Sequence, residues 1–149
     1  MWHRRQRGAA LIELAFILPL LLLLMFMTTE FGRALHHYNI IAKSVRDAVR
    51  YVSVQTPGTR QAEARNLVLY GKLTPGATDQ PLVPGLTALN VPDPVWATAG
   101  SGPVINTVTV TVRNYTFRPL FGSVFGIPFG NFTFSDISAT MRAPLPTSS

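Results

Sequence analysis

The sequence predicts an α+β fold: a long N-terminal transmembrane helix that continues into an extracytoplasmic helix packed on a small antiparallel sheet. Three observations carry the prediction. From Ala9 to Thr29 there are 21 residues, of which only Glu13 is charged. At about 1.5 Å per residue such a helix covers the roughly 30 Å of a bilayer core. Beyond it, apolar or small residues recur at Phe31, Leu35, Tyr38, Ala42, Val45, Val49 and Val52, the seven-residue period of a helix with one covered face. Further on, Val108, Val110 and Val112 alternate with threonines, the period of a half-buried strand.

Composition sets the limits. The 149 residues carry 13 Lys and Arg against 7 Asp and Glu, a formal charge of +6. Arg4, Arg5 and Arg7 supply three of those positives, so the charge beyond Gly8 falls from +6 to +3. No basic block or RNA-binding aromatic motif accompanies it, and nucleic acid is not an expected partner. Cysteine is absent, which removes disulfides, thiolate catalysis and cysteine zinc sites. Charged residues make up only 13%, against 47% hydrophobic, as expected of a chain partly dissolved in lipid.

Arginines before the span place the N-terminus in the cytoplasm and the following residues outside. A secretory signal peptide shares the basic start and apolar middle. Here, however, the apolar run leads into Met27-Thr28-Thr29-Glu30-Phe31, not into small residues fit for signal cleavage. Glu13 is the other departure. An acid inside a span carries a penalty of about 2.5–3.5 kcal/mol at the bilayer centre, less near the edge, and marks a partner when it is not simply tolerated there. A cut between Gly8 and Ala9 would create one: the new α-amine of Ala9, four residues away, on its own helix or a neighbour's. Such a pair would set the axial register of two helices. Pro19 removes a backbone donor and predicts a kink or loosening near Leu14 and Ala15.

The helix is expected to run from Ala9 to Gln55 and to stop at Thr56-Pro57-Gly58. Arg33, His37, Lys43, Arg46, Asp47 and Arg50 fall off the predicted stripe. Thr59 is the expected N-cap of a second helix, Arg60 to Tyr70, ended by Gly71. A proline-rich connection follows, with weak strands over Leu86 to Val91 and Val95 to Ala97. Val104 to Phe117 and Phe132 to Met141 are the main strands, the second with Phe132, Phe134 and Ile137 inward and a bulge near Ser135-Asp136. The apolar loop from Pro119 to Gly130 is either a self-packed Ω-loop or an exposed partner surface. The segments are then residues 1–8, the span 9–29, a helical stalk 30–56, an α+β domain 57–143 and a disordered tail 144–149.

Catalytic constellations are missing from the pattern. His36 and His37 are adjacent and diverge on a helix, and Glu30 with His37 gives two ligands, short of a closed metal site. Asp79, Asp93 and Asp136 are scattered. No phosphate-binding glycine loop, G-x-S-x-G or H-E-x-x-H occurs. Neither enzyme activity nor a cofactor or metal is expected, and both histidines are expected at the surface or at headgroup level.

The string Arg7-Gly8-Ala9-Ala10-Leu11-Ile12-Glu13-Leu14-Ala15-Phe16, then Pro19, a leucine block and Glu30-Phe31-Gly32-Arg33, resembles the TadE-like pseudopilins of the tight-adherence (Flp) pilus system. TadF-like and TadG-like relatives share this N-terminal pattern. Gly8 and Glu13 stand where a type IV prepilin has its last leader residue and its fifth mature residue. The resemblance implies a pilin-like fold, with residues 1–8 as a leader removed after Gly8 by a prepilin peptidase and optional N-methylation of Ala9. It also implies a minor pilin or pseudopilin of the bacterial inner membrane. Its partners would be other pseudopilins, the major Flp pilin and the Tad assembly platform, in the service of adherence and biofilm formation. The alternative from the residues alone is an uncleaved single-pass membrane protein with a partner-binding outer domain. A weaker third reading is a secreted β-rich domain.

Overall fold

The computed structural model describes residues 5–143, with side chains from Gly8 onward. Arg4 and the tail 144–149 lie outside the described residues, as do the side chains of Arg5 and Arg7. Helix α1 spans Arg5–Ser53 and runs through Pro19 without interruption. It ends two residues before the expected Gln55, where the Gln55 amide bonds back to the Val52 carbonyl at 3.0 Å. The architecture is α+β, with two helices and small antiparallel sheets, consistent with a pilin-like fold. Contacts divide the chain into two units: one holds the residues up to Leu35 with Arg118–Asn131, the other His36–Phe117 with the residues from Phe132 on.

The second unit is built on the C-terminal part of α1. Its buried positions are His37, Ile41, Ser44, Val45, Ala48, Val49, Val52 and Ser53, continuing a line that begins at Glu30 and Ala34. The predicted stripe therefore has the right period but the wrong phase over its first turns. Phe31, Leu35 and Tyr38 are 66%, 48% and 42% exposed, and the two lines merge only at Val45. One residue of offset is a turn of about 100° around the helix. His37, expected at the surface, is buried: its Nδ1 lies 2.8 Å from the Tyr115 hydroxyl, which donates to the Pro84 carbonyl at 3.0 Å. Tyr38 instead meets Phe134 edge-on, with ring centroids 5.9 Å apart.

Helix α2 spans Gln61–Tyr70 and contributes Ala64, Val68 and Leu69 to the core. Thr59 is not its cap. The Thr59 hydroxyl donates back to the Thr56 carbonyl at 2.6 Å, and Arg60 takes the cap position in the left-handed region at φ 57°. Gly71 ends the helix as expected, at φ 69°, where a side chain would be strained. The predicted strand at Leu86 to Val91 is instead a single 3-10 turn over Ala88–Asn90. Thr87 and Asn90 cap it reciprocally, and that local bonding competes with a strand ladder.

The main sheet is antiparallel in the order β1 (Val95–Ala99), β2 (Ile105–Val112), β7 (Ile137–Ala143). Val108, Val110 and Val112 of β2 are buried, as their alternation predicts. On the other face Thr109 sits opposite Thr140, with their hydroxyls 2.7 Å apart. The long strand predicted to Phe117 breaks at residues 113–115. There the Arg113 amide donates to the Asn90 carbonyl at 2.8 Å, and Asn114 takes φ 53°. The Asn90 side-chain amide holds the break by donating to the carbonyls of Arg113 and Asn114. A two-stranded ribbon of β3 (Thr116–Phe117) and β6 (Phe132–Thr133) follows. The slip expected at Ser135-Asp136 is a full interruption between β6 and β7, and Phe132 stays 44% exposed while touching Phe117.

In the first unit, the loop after Arg118 contains a hairpin of β4 (Ser123–Val124) and β5 (Ile127–Pro128). Its two turn residues, Phe125 and Gly126, have φ 51° and 78°, the signature of a type I′ turn.

Candidate functional site

The N-terminal part of α1 presents apolar side chains to its surroundings on every face. Leu11, Phe16, Leu20 and Met25 are among its exposed large residues, and none of its most apolar window is buried by the rest of the chain. Among the described residues one helix is thus long and apolar enough to cross a membrane. The hydroxyls at the end of the run turn inward: Thr28 donates to the Leu24 carbonyl at 2.8 Å and Thr29 to the Met25 carbonyl at 2.9 Å. That leaves no hydroxyl there in need of water, as a lipid setting requires.

Gly8 lies inside α1, and a Cβ placed on it would meet nothing within 4 Å. Packing within this chain therefore does not explain why it is glycine. Ala9 is exposed and shares a face with Glu13, about 6 Å along the axis. Glu13 is exposed too, with no hydrogen-bond or ion-pair partner among the described residues. Pro19 leaves the Ala15 carbonyl without its usual donor inside the apolar run.

The Glu30-Phe31-Gly32-Arg33 motif splits by face. Glu30 is buried and accepts from Arg33, with Nη2 at 2.8 Å and Nε at 3.3 Å. Its other oxygen, Oε1, accepts from the Leu120 backbone amide at 3.1 Å. Arg33 Nη2 donates also to the Arg118 carbonyl at 2.6 Å. Two charged side chains one helical turn apart thereby clasp the start of the apolar loop. Below the clasp, the rings of Phe26 and Phe121 pack with centroids 4.9 Å apart. Phe31 and Gly32 face outward, and a Cβ on Gly32 would meet nothing within 4 Å. Sequence reasoning singled out the motif but missed its partners Arg118, Leu120 and Phe121. The one available hint was an acid and a base at i, i+3 just beyond the span, a spacing that puts both on one side.

Among the described residues no group of three or more His, Cys, Asp or Glu could hold a metal ion. Glu30 and His37, considered together as ligands, belong to separate arrangements with Arg33 and Tyr115.

Among curated proteins and among solved structures, none matches this chain. The family model described as TadE-like protein matches residues 8–50. That segment opens on Gly8, contains Glu13, Pro19 and the Glu30–Arg33 clasp, and closes near the end of α1. Over residues 8–50 the chain is therefore similar to TadE-like proteins.

Proposed function

We propose that this membrane-anchored, pilus-associated protein is a minor pseudopilin, cleaved after Gly8 by a prepilin peptidase and assembled through its N-terminal helix. The observation that carries the reading is Glu13, an exposed acid on a bare apolar helix, four residues from the Ala9 that cleavage would turn into an α-amine. An acid so placed is costly in lipid until a positive group meets it. Glu13 of one helix pairs with the Ala9 amine of the next, which fixes their relative height while the apolar faces supply contact area. Gly8 is small because a peptidase must reach the backbone there. The arginines Arg4, Arg5 and Arg7 hold the leader on the cytoplasmic side of the inner membrane, and the chain beyond Glu30 lies outside it. Pro19 loosens the helix where a neighbouring helix covers the freed Ala15 carbonyl. The partners are then the peptidase, other pseudopilins, the major Flp pilin and the assembly platform. The role is structural, in pili that serve adherence, with no catalytic part.

N-terminal sequencing of the protein extracted from membranes tests the reading. A start at Ala9 is expected, and Gly8→Leu should leave the longer form. Glu13→Ala should be cut normally yet fail to crosslink with other pilins. An intact leader in the assembled molecule would instead favour an uncleaved single-pass protein.

A further inference from the structure

The hairpin carried by the first unit has no job in the account so far, and its composition is unusual for a loop in water. No residue from Pro119 to Ser135 is charged. Leu120 is 70% exposed, Phe125 61% and Ile127 48%. Phe125 occupies the tip in the left-handed region, where bulky residues are uncommon and asparagine or glycine are at home. A large apolar ring held outward on a strained turn is poorly matched to solvent.

Its depth is fixed by contacts. Phe121 packs on Phe26, three residues inside the last residue of the apolar run, Thr29. Leu120 is tied to Glu30, just beyond that end. If the run spans the bilayer, Phe121 must lie about 4–5 Å inside its outer boundary and Leu120 near it. The hairpin also satisfies much of its own backbone, through the β4–β5 pairing and the Phe129 amide donating to the Gly122 carbonyl at 3.0 Å. That suits the headgroup and acyl boundary, where partly paired backbone is tolerated, and not the hydrocarbon centre.

We infer that the Pro119–Gly130 hairpin is a second membrane contact, seated in the outer face of the bilayer beside its own transmembrane helix, with Phe125 and Ile127 among acyl chains. The inference rests on the membrane reading of α1. The occupant is lipid, and because the hairpin carries no charge it needs no anionic headgroup. It anchors the rim of the helix and fixes how deep Glu30 and Arg33 sit.

The natural absence of cysteine gives a direct test. Single cysteines replace Ser123 in the hairpin, Ile17 in mid-span and Thr98 on the exposed strand β1. Each full-length variant carries an environment-sensitive fluorophore and is reconstituted in phosphatidylcholine vesicles, with and without phosphatidylglycerol. Quenchers are attached to lipid near the headgroup or near the chain end. The Ser123 label should emit to the blue of the Thr98 label and be quenched by the headgroup-level quencher in both lipid mixtures. The Ile17 label should respond to the deep quencher. Phe125→Asn, which suits the turn, should abolish the Ser123 blue shift and leave the Ile17 signal unchanged. If Ile17 is quenched while Ser123 behaves like Thr98, the hairpin proposal is overturned and the spanning helix stands. A Ser123 label shielded from aqueous iodide yet unquenched by lipid means that protein covers the hairpin, which also overturns it. An unquenched Ile17 label would refute the membrane reading itself.

Discussion

Replacing Glu30 by alanine should release the hairpin from the helix. The carboxylate side chain is 8% exposed and Arg33 is 23% exposed, so the pair is largely but not wholly withdrawn from water. Breaking a fully buried pair costs about 3–5 kcal/mol. The Leu120 amide, left without its acceptor, adds part of the roughly 1–3 kcal/mol of an orphaned donor. Against this, Arg33 keeps its bond to the Arg118 carbonyl and retains access to solvent, which lowers the total to about 2–3 kcal/mol. At about 1.4 kcal/mol per factor of ten, amides of the hairpin should exchange roughly 30- to 140-fold faster. Glu30→Gln keeps an acceptor of similar size and should give a rise of about tenfold. Hydrogen exchange read by mass spectrometry on the micelle-bound protein measures both, with the β2 amides as an internal reference. If hairpin exchange in Glu30→Ala equals that of the parent while β2 stays protected, the clasp holds nothing and the reasoning fails.

The phase of α1 makes a sharper contrast. Ile41→Ala should cost about 2–5 kcal/mol, since Ile41 is fully buried, whereas Leu35→Ala should stay within about 0.5 kcal/mol; chemical denaturation compares them. Equal losses would put the covered face back on the predicted line. Tyr115→Phe removes the hydroxyl between His37 and the Pro84 carbonyl and should cost about 1–3 kcal/mol, a Tm drop of several degrees by calorimetry. An unchanged Tm would mean that the hydroxyl link contributes little. The Asp79 carboxyl is held below the ordinary aspartate value of 3.8, first by the hydrogen bond from Lys72 and then by the Gly76 amide. A depressed carboxyl stabilises the fold above its unfolded pKa and loses that contribution as pH falls through the lower, folded value. Lys72→Met should therefore raise the Asp79 titration toward 3.8 and flatten the acid side of the stability profile, as followed by carboxyl NMR. An unmoved titration would remove Lys72 as the cause.

What could be read in advance divides by the range of the interaction. The alternation of Val108, Val110 and Val112 and the glycine cap at Gly71 are set by neighbours in sequence and are present, and α1 stops ahead of Thr56-Pro57-Gly58, two residues short of Gln55. The phase of α1 departs from expectation because the spacing of apolar and small residues points to Phe31, Leu35 and Tyr38 as the inward face. The helix instead buries Glu30, Ala34 and His37, two of them polar. They can be inward because Leu120 and Tyr115, from far along the chain, supply their hydrogen bonds, and no local pattern records that. The strand break at residues 113–115 is hidden for the same reason, since Asn90 makes it from 23 and 24 residues away. Gly8 and Glu13 stand out in the sequence by their spacing alone.

Leu120 follows Glu30 by 90 residues. A ribosome delivers the acid long before the amide that completes its coordination. Until then Arg33 alone neutralises the carboxylate, while most of the chain beyond the apolar run is being made. Closure of the hairpin is consequently a late event in biogenesis, and a product truncated ahead of residue 120 would keep its anchor but never finish that junction.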